Sequence, residues 1–428
     1  MKHRKQPIST PVVTGLVFLM LLPLFKPNIT QTFEYLHIPS PFSPTTYSLI
    51  ILVISIVLAL FYFQAVGLDL FGGLMIAFFS ITALATVANK GDLTFWSAEN
   101  LPCLGLALGV YALWRQYSRQ ILRGAMFACS FYLALNLVFL VVDYLSSSGS
   151  ENYLFYGYRN VTFRIAIPAL ACSLLFDSAQ GSRPSARTLI IFLVGLLEML
   201  IGYSATSLCA FIIMALIVGA SCSSRIRPYL NGVTALVFYA ISFIGIIVLR
   251  IQDHLGFIIE GVLGRSTSLT GRTYIWDEVF NLLDSVHFIK GYGASYIWNS
   301  IVVDGTPFMH AHNELLHIVM VGGVLAALAW GAILAVVACC LYRNRSNFGA
   351  SVLSATLFAY CIIGLAEITF FTSTFFMLAI MYSYCRDPDC LKKEHRVSTP
   401  KHMKPTAVPT TKSSSGVVSS MHKTLSRS

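Results

Sequence analysis

Twelve apolar runs dominate this chain, each close to the length that crosses a lipid bilayer. They lie at about 9–25, 46–65, 68–88, 99–114, 124–145, 161–177, 188–203, 205–222, 231–250, 313–341, 349–367 and 369–385. A spanning helix needs about 20 mostly apolar residues. Only 11% of the 428 residues are charged, and the mean hydropathy is +0.71. Soluble domains carry about a quarter charged residues. The expected fold is therefore an all-α polytopic membrane protein with about twelve transmembrane helices. The first run follows Lys2, Arg4 and Lys5, as a signal peptide would, but Lys26-Pro27-Asn28 stands where a small-residue cleavage site would be. It reads as an uncleaved span.

The net charge of +10 would suggest nucleic acid in a soluble protein. Its placement excludes that reading. Lys2, Arg4, Lys5, then Arg115, Arg119, Arg123, then Arg183, Arg187, then Arg225, Arg227, then Arg343, Arg345 mark every second loop. This is the positive-inside pattern, and it predicts that both termini are cytoplasmic. Residues 386–428 are rich in Lys, Ser, Thr and Pro and lack aromatic residues. That segment reads as a disordered basic tail able to touch anionic lipid, behind a membrane domain of residues 1–385. The ten cysteines fall mostly within the apolar runs and include no C-x-x-C, so neither a disulfide framework nor a zinc site is expected.

With this topology the largest outer loop spans about 251–312, too long for a simple connector. Trp276, Val279, Phe280, Leu283 and Val286 recur there at helical spacing. They predict a short amphipathic helix lying on the outer leaflet, followed by a turn at Lys290-Gly291-Tyr292-Gly293-Ala294.

Polar residues that topology does not require collect at this face. His310-Ala311-His312-Asn313-Glu314 leads directly into an apolar run that ends at Arg343. Thirty-one residues of helix would span roughly 46 Å, so His312 is expected at or above the outer interface, on the first helical turn. A hydrated imidazole there can accept a proton, or can serve as a polar anchor. Asn313 and His317, four apart, would share a helix face. Arg272 follows Gly271, which would let the backbone approach a ligand. Its guanidinium could grip phosphate oxygens bidentately or bind a lipid headgroup, as could Arg265 seven residues earlier. Arg159 lies in Gly157-Tyr158-Arg159-Asn160 at the outer end of a span, with Arg164 one turn deeper. A charged residue within a span needs a partner. Glu198, Glu367 or an anionic substrate could provide it. Ser204-Ala205-Thr206-Ser207-Leu208 supplies hydroxyls at another outer boundary.

Taken together, these pieces resemble the O-antigen ligase/polymerase superfamily of bacterial membrane proteins, the Wzy and WaaL group, and its exopolysaccharide and capsule branch. The resemblance rests on Gly271, Arg272, Thr273 and Trp276, then Gly291-Tyr292-Gly293, then His310 to Leu316 at the head of a span that contains Gly322-Gly323. Gly157 to Asn160 and Ser204 to Leu208 resemble the family's earlier outer-face motifs. The chain has Ala205 where the family often carries a basic residue, and Val324-Leu325-Ala326 where a G-x-x-G pattern commonly continues.

The resemblance implies a metal-independent glycosyl transfer without a cofactor, from a glycan on undecaprenyl pyrophosphate, at the outer face of the cytoplasmic membrane. His312 would be the base and Arg272 the pyrophosphate-binding catalytic cation. Arg159, Arg164, Arg265, Asn313, His310, Trp276 and Ser204 would contact substrate. A flippase and a chain-length regulator would be partners, besides membrane lipid. Polymerase and ligase share this chemistry. The His-Ala-His-Asn form is more like the polymerase branch. A transporter is the competing class, but the lopsided chain lacks the repeated halves such proteins show.

Overall fold

Helices occupy the apolar segments, and polar residues fix where they start. The computed structural model describes residues 9–25, 39, 43–146, 153–181, 184–254, 271–294 and 301–391. In the first half lie α1 (Thr10–Leu24), α2 (Pro44–Ala65), α3 (Leu70–Ala88) and α4 (Leu93–Ser146). A two-stranded ribbon, β1 (Tyr153–Leu154) with β2 (Gly157–Tyr158), precedes α5 (Phe163–Ala179). Next come α6 (Ala186–Ile201), α7 (Ala205–Ala220) and α8 (Gly232–Ser242), which runs on through a π turn, Phe243–Val248. Ser43, Asp69, Ser185 and Asn231 each accept a backbone N–H of the helix they precede, as capping side chains do.

Four stretches are long and apolar enough to cross a membrane: Pro44–Ala65, Leu70–Ala88, Leu93–Val142 and Glu314–Arg343. Thr10–Leu24, Ala205–Ala220, Gly232–Val248 and Phe348–Gly364 are apolar but shorter. The expected pair 99–114 and 124–145 belongs to one continuous assignment, α4, broken at Tyr117, where φ is −128° and ψ 25°. Large apolar side chains such as Leu49, Val53 and Leu60 on α2 stay more than half exposed, as suits a lipid-facing surface. The chain is an integral membrane protein.

The expected outer-loop helix is two helices. α9 (Arg272–Leu282) buries Thr273, Ile275, Trp276 and Val279 against Tyr292, Ile301 and Met320. Phe280 and Val286, predicted for the apolar stripe, are 44% and 53% exposed to the outside of the protein. The helix thus packs on protein, and α10 (Ser285–Lys290) starts afresh because Asp284 accepts the His287 N–H at 2.7 Å. A second ribbon, β3 (Ile301–Val303) with β4 (Thr306–Phe308), leads to α11 (Glu314–Arg343). α12 (Phe348–Gly364) and α13 (Thr372–Arg386) complete the bundle, with Thr372 to Cys385 buried throughout. The packed chain continues to Leu391, whose carbonyl accepts Arg119 Nε at 2.6 Å. The tail expected from 386 therefore contributes at least this segment to the fold. The rest of it lies outside the described residues.

The arginines of the predicted inner loops gather at one end. Arg227 Nη1 reaches the Ser346 carbonyl at 3.1 Å, and Arg386 lies 3.7 Å from Asp69. The starts of α4, α5, α7, α9, α11 and α13 face the other way, and the candidate site lies there.

In the segment predicted as a turn, Gly291 and Gly293 take positive φ, 71° and 84°, on either side of Tyr292. α11 breaks at Gly323 (φ 70°), and the freed carbonyls of Met320 and Val321 accept the Tyr292 and Gly293 N–H groups at 2.7 and 2.9 Å. The Gly291 carbonyl in turn accepts Asn89 Nδ2 at 3.0 Å. A Cβ on Gly323 would lie 2.0 Å from the Ile289 carbonyl oxygen, so only glycine allows the approach. We predict that Gly323→Ala lowers the melting temperature in nanodiscs by several degrees, because the positive φ alone costs about 1–3 kcal/mol in a residue with a Cβ. An unshifted melt would show that the two glycine segments are not held together.

Candidate functional site

Glu367 lies in the short connection between α12 and α13, at the head of the most buried helix of the bundle. Its Oε1 accepts Arg272 Nη2 at 2.5 Å, and its Oε2 lies 3.1 Å from His312 Nδ1. The carboxylate therefore joins the two residues expected to carry catalysis. Asn160 Nδ2 also reaches Oε1, at 3.4 Å. Burial alone would raise the Glu367 carboxyl. The hydrogen bond and charge of His312, with the charge of Arg272, outweigh it and hold the group down to about 2.

His312 precedes α11 rather than sitting on its first turn. Its backbone is left-handed, with φ 45°, which is strained for a residue with a side chain. Three neighbours hold it there. Its N–H donates to His310 Nδ1 at 3.3 Å. Its carbonyl accepts the Trp276 indole N–H at 3.3 Å. Asn313, the α11 cap, accepts the Leu316 N–H at 3.0 Å and donates to the Leu365 carbonyl at 3.1 Å. Trp276 and Asn313, expected to contact substrate, are 0% exposed, and their hydrogen bonds hold His312 and the 365–371 connection. Ser204 is likewise buried. Its hydroxyl donates to Ser207, which donates to the Asn160 carbonyl, so it supports the wall behind Glu367.

Gly271 has φ 83° and open space around its Cβ position. It forms the left-handed turn that starts α9. Arg250, which sequence reasoning passed over, donates to the Thr273 carbonyl at 3.1 Å and pairs with Asp277. It ties the Arg272 helix to the end of α8.

Neither carboxylate forms an ion pair with Arg164, the second residue of α5. Glu198 accepts Asn136 Nδ2 at 2.7 Å instead, and Glu367 is taken by Arg272 and His312. The Arg164 guanidinium lies 3.2 Å from the Phe371 ring centroid, a cation–π contact. Its Nε is buried without a hydrogen bond. Arg159 starts the 3-10 turn before α5, and its side chain is outside the described set, as is all of Arg265.

The His310 and His312 rings are in contact, tilted by 52° with centroids 4.0 Å apart. Burial, then the neighbouring His312, lowers His310 to about 3. One nitrogen or oxygen of each of His310, His312 and Glu367 lies within 4.8 Å of the others, a group that could hold a metal ion. The sequence reading had foreseen no metal cluster, because Glu367 is 55 residues from His312.

A cavity of about 280 Å³ adjoins this constellation, with His310 in its wall. Glu99, Asn100 and His317 line it too, between Phe78, Phe95, Phe370 and Phe371.

Residues 189–331 match the family model described as O-antigen ligase. That segment is similar to the O-antigen ligase family. The matched segment, about a third of the chain, contains Ser204, Arg272, Trp276, His310, His312 and Asn313. It agrees with the O-antigen ligase/polymerase superfamily expected from the motifs. Arg164, Glu99 and Glu367 lie outside the domain match, and the fold brings them to it. No curated protein and no solved structure matches the chain.

His310 carries a pH prediction. Its unfolded imidazole binds a proton below its ordinary 6.5, and its folded form does so only near 3. The unfolded chain therefore gains protons first, and stability falls as pH drops below 6.5. Glu367 adds stability above its ordinary 4.5 that is lost as pH falls toward 2. Of these two groups only His310 acts between pH 6.5 and 4.5. We predict that His310→Gln flattens the melting temperature against pH in that window. An unchanged slope would place the acid sensitivity elsewhere.

Proposed function

We propose that this protein polymerises lipid-linked oligosaccharide repeat units into a surface polysaccharide, at the outer face of a bacterial cytoplasmic membrane. The donor is a glycan on undecaprenyl pyrophosphate, and the acceptor is a hydroxyl of another repeat unit. Transfer to a different lipid or protein, the ligase reaction, would use the same groups. The observation that carries the reading is the shared Glu367 carboxylate, which couples a guanidinium to an imidazole.

In this reading His312 Nδ1–H donates to Glu367, which leaves Nε2 with the lone pair. That nitrogen takes the proton of the acceptor hydroxyl as its oxygen bonds to the anomeric carbon. The anomeric carbon–oxygen bond to the pyrophosphate breaks, and the lipid pyrophosphate departs with the electron pair. Arg272, with Arg164 nearby, stabilises the charge that develops on the leaving group. Arg159 and Arg265 are candidates for its remaining oxygens. General-base assistance is worth about 10²–10⁴ in rate. Alignment of two membrane-held substrates contributes comparably.

The reading needs no metal. A cation among His310, His312 and Glu367 would have to share the carboxylate with the Arg272 guanidinium. The outward orientation with both termini cytoplasmic is part of the proposal. So are twelve spans, a dispensable tail beyond 391, and partnership with a flippase and a chain-length regulator. The placement of arginines at the opposite end of the bundle supports the orientation.

The test uses protein in nanodiscs with the source strain's lipid-linked repeat unit, and reads products on a gel. A ladder spaced by one repeat is expected. It should vanish in His312→Ala, weaken about 10²-fold or more in Glu367→Gln as the imidazole loses its orienting carboxylate, and persist in chelator. A normal ladder in His312→Ala would remove the base. Loss in chelator with recovery on added zinc would replace this mechanism by a metal-assisted one. No ladder, with transfer to a second acceptor, would make the protein a ligase.

A further inference from the structure

The cavity beside His310 has a make-up that glycan transfer, as described above, leaves unassigned. Phe78 on α3, Phe95 on α4 and Phe370 and Phe371 before α13 form its apolar faces. Glu99 and His317 supply polar groups on different helices, α4 and α11. His317 Nδ1 is buried with no hydrogen-bond partner. Buried polar atoms are normally satisfied, so a polar ligand there would complete it. His310 both lines the cavity and contacts the His312 ring. A molecule seated in the cavity is thus one imidazole away from the proposed base.

We infer that this cavity is the subsite for the terminal sugar of the acceptor, with Glu99 and His317 binding its hydroxyls and so determining which sugar is accepted. The inference rests on the glycan-transfer reading. Aromatic faces cover the C–H faces of a pyranose, while a carboxylate and an imidazole bond its hydroxyls. At about 280 Å³ the cavity is at the small end of ligand sites, about 300–1,000 Å³. That suits a terminal sugar better than an extended chain. Glu99 is the charged residue among those lining it, and it would repel another carboxylate. The sugar class is therefore a neutral or amino sugar, and a uronic acid is excluded. The Arg164 guanidinium, on the Phe371 ring, is coupled electrostatically to Glu99 and Glu367. The subsite and the proposed pyrophosphate site therefore share one aromatic wall.

The experiment uses full-length protein in nanodiscs and the repeat-unit oligosaccharide freed from its lipid pyrophosphate by mild acid. Binding is followed by saturation-transfer NMR and titrated calorimetrically. Saturable binding is expected in the wild type. Glu99→Gln and His317→Gln should each weaken it about tenfold, the effect of one hydrogen bond to a buried or charged group. Phe95→Trp, which adds bulk to the cavity wall, should weaken it without touching a polar group. A repeat unit oxidised at its terminal sugar to the uronic acid should bind Glu99→Gln better than the wild type. Melting temperatures identify any variant that fails to fold, and Phe95→Trp then carries the test.

Wild-type protein that binds no free glycan would overturn the subsite. So would equal binding in Glu99→Gln, His317→Gln and Phe95→Trp, or lipid that occupies the wild type and is expelled by Phe95→Trp. Free-glycan binding requires no turnover. Failure of the ladder assay with intact, Glu99-dependent binding would therefore count against the transfer mechanism alone.

Discussion

The Glu367 carboxylate is the interaction on which the rest of the site depends. A guanidinium in a low-dielectric setting costs several kcal/mol unless it is paired. Glu367 pairs Arg272 in the protein before any substrate arrives. The same group accepts from His312, and an imidazole whose Nδ1 is so engaged keeps Nε2 for the proton that the proposed mechanism assigns to it. One buried anion therefore positions both the proposed cation and the proposed base. That double engagement holds its carboxyl below the usual carboxylate range, against the opposing effect of burial.

A bridge between three distant segments needs each segment held. Asn313 ties the head of α11 to the Leu365 carbonyl, two residues before Glu367. Glu314 accepts the N–H and hydroxyl of Thr369 two residues after it. The connection that carries Glu367 is thus clamped on both sides by adjacent residues of one helix start. Trp276 and Arg250 fix α9, and with it Arg272. The Gly323 break gives α11 a second hold, because its freed carbonyls accept the segment that follows α10. The left-handed conformation of His312 persists under these constraints, which is where strain is usually stored in working sites.

How much of this was legible in sequence follows from the distance over which each signal acts. The helices were legible because apolar runs and their capping residues are local. Arg272, His310 and His312 were legible because each interrupts an apolar pattern at an interface. The burial of Trp276, Asn313 and Ser204 was not legible, since exposure at a span boundary cannot be told from burial under a neighbouring loop. The α9–α10 division turned on one side chain, Asp284, which periodicity alone overlooks. Glu367 was visible only as a possible partner of Arg164. Its contacts with His312 and Arg272 join residues 55 and 95 apart, and nothing in the local pattern encodes them.

The domain match has a related boundary. Residues 189–331 hold the proposed base and cation, while Glu367 comes from the last connection and Arg164 and Glu99 from the first half of the chain. The proposed chemistry needs His312 and Arg272 in fixed relation, and both lie in the matched segment. The choice of acceptor makes no such demand. The cavity wall is built largely from α3, α4 and the 365–371 connection, outside the match. Under the proposed mechanism, that division would let the segments around the pair change the accepted sugar without disturbing the groups assigned to the proton and the leaving pyrophosphate.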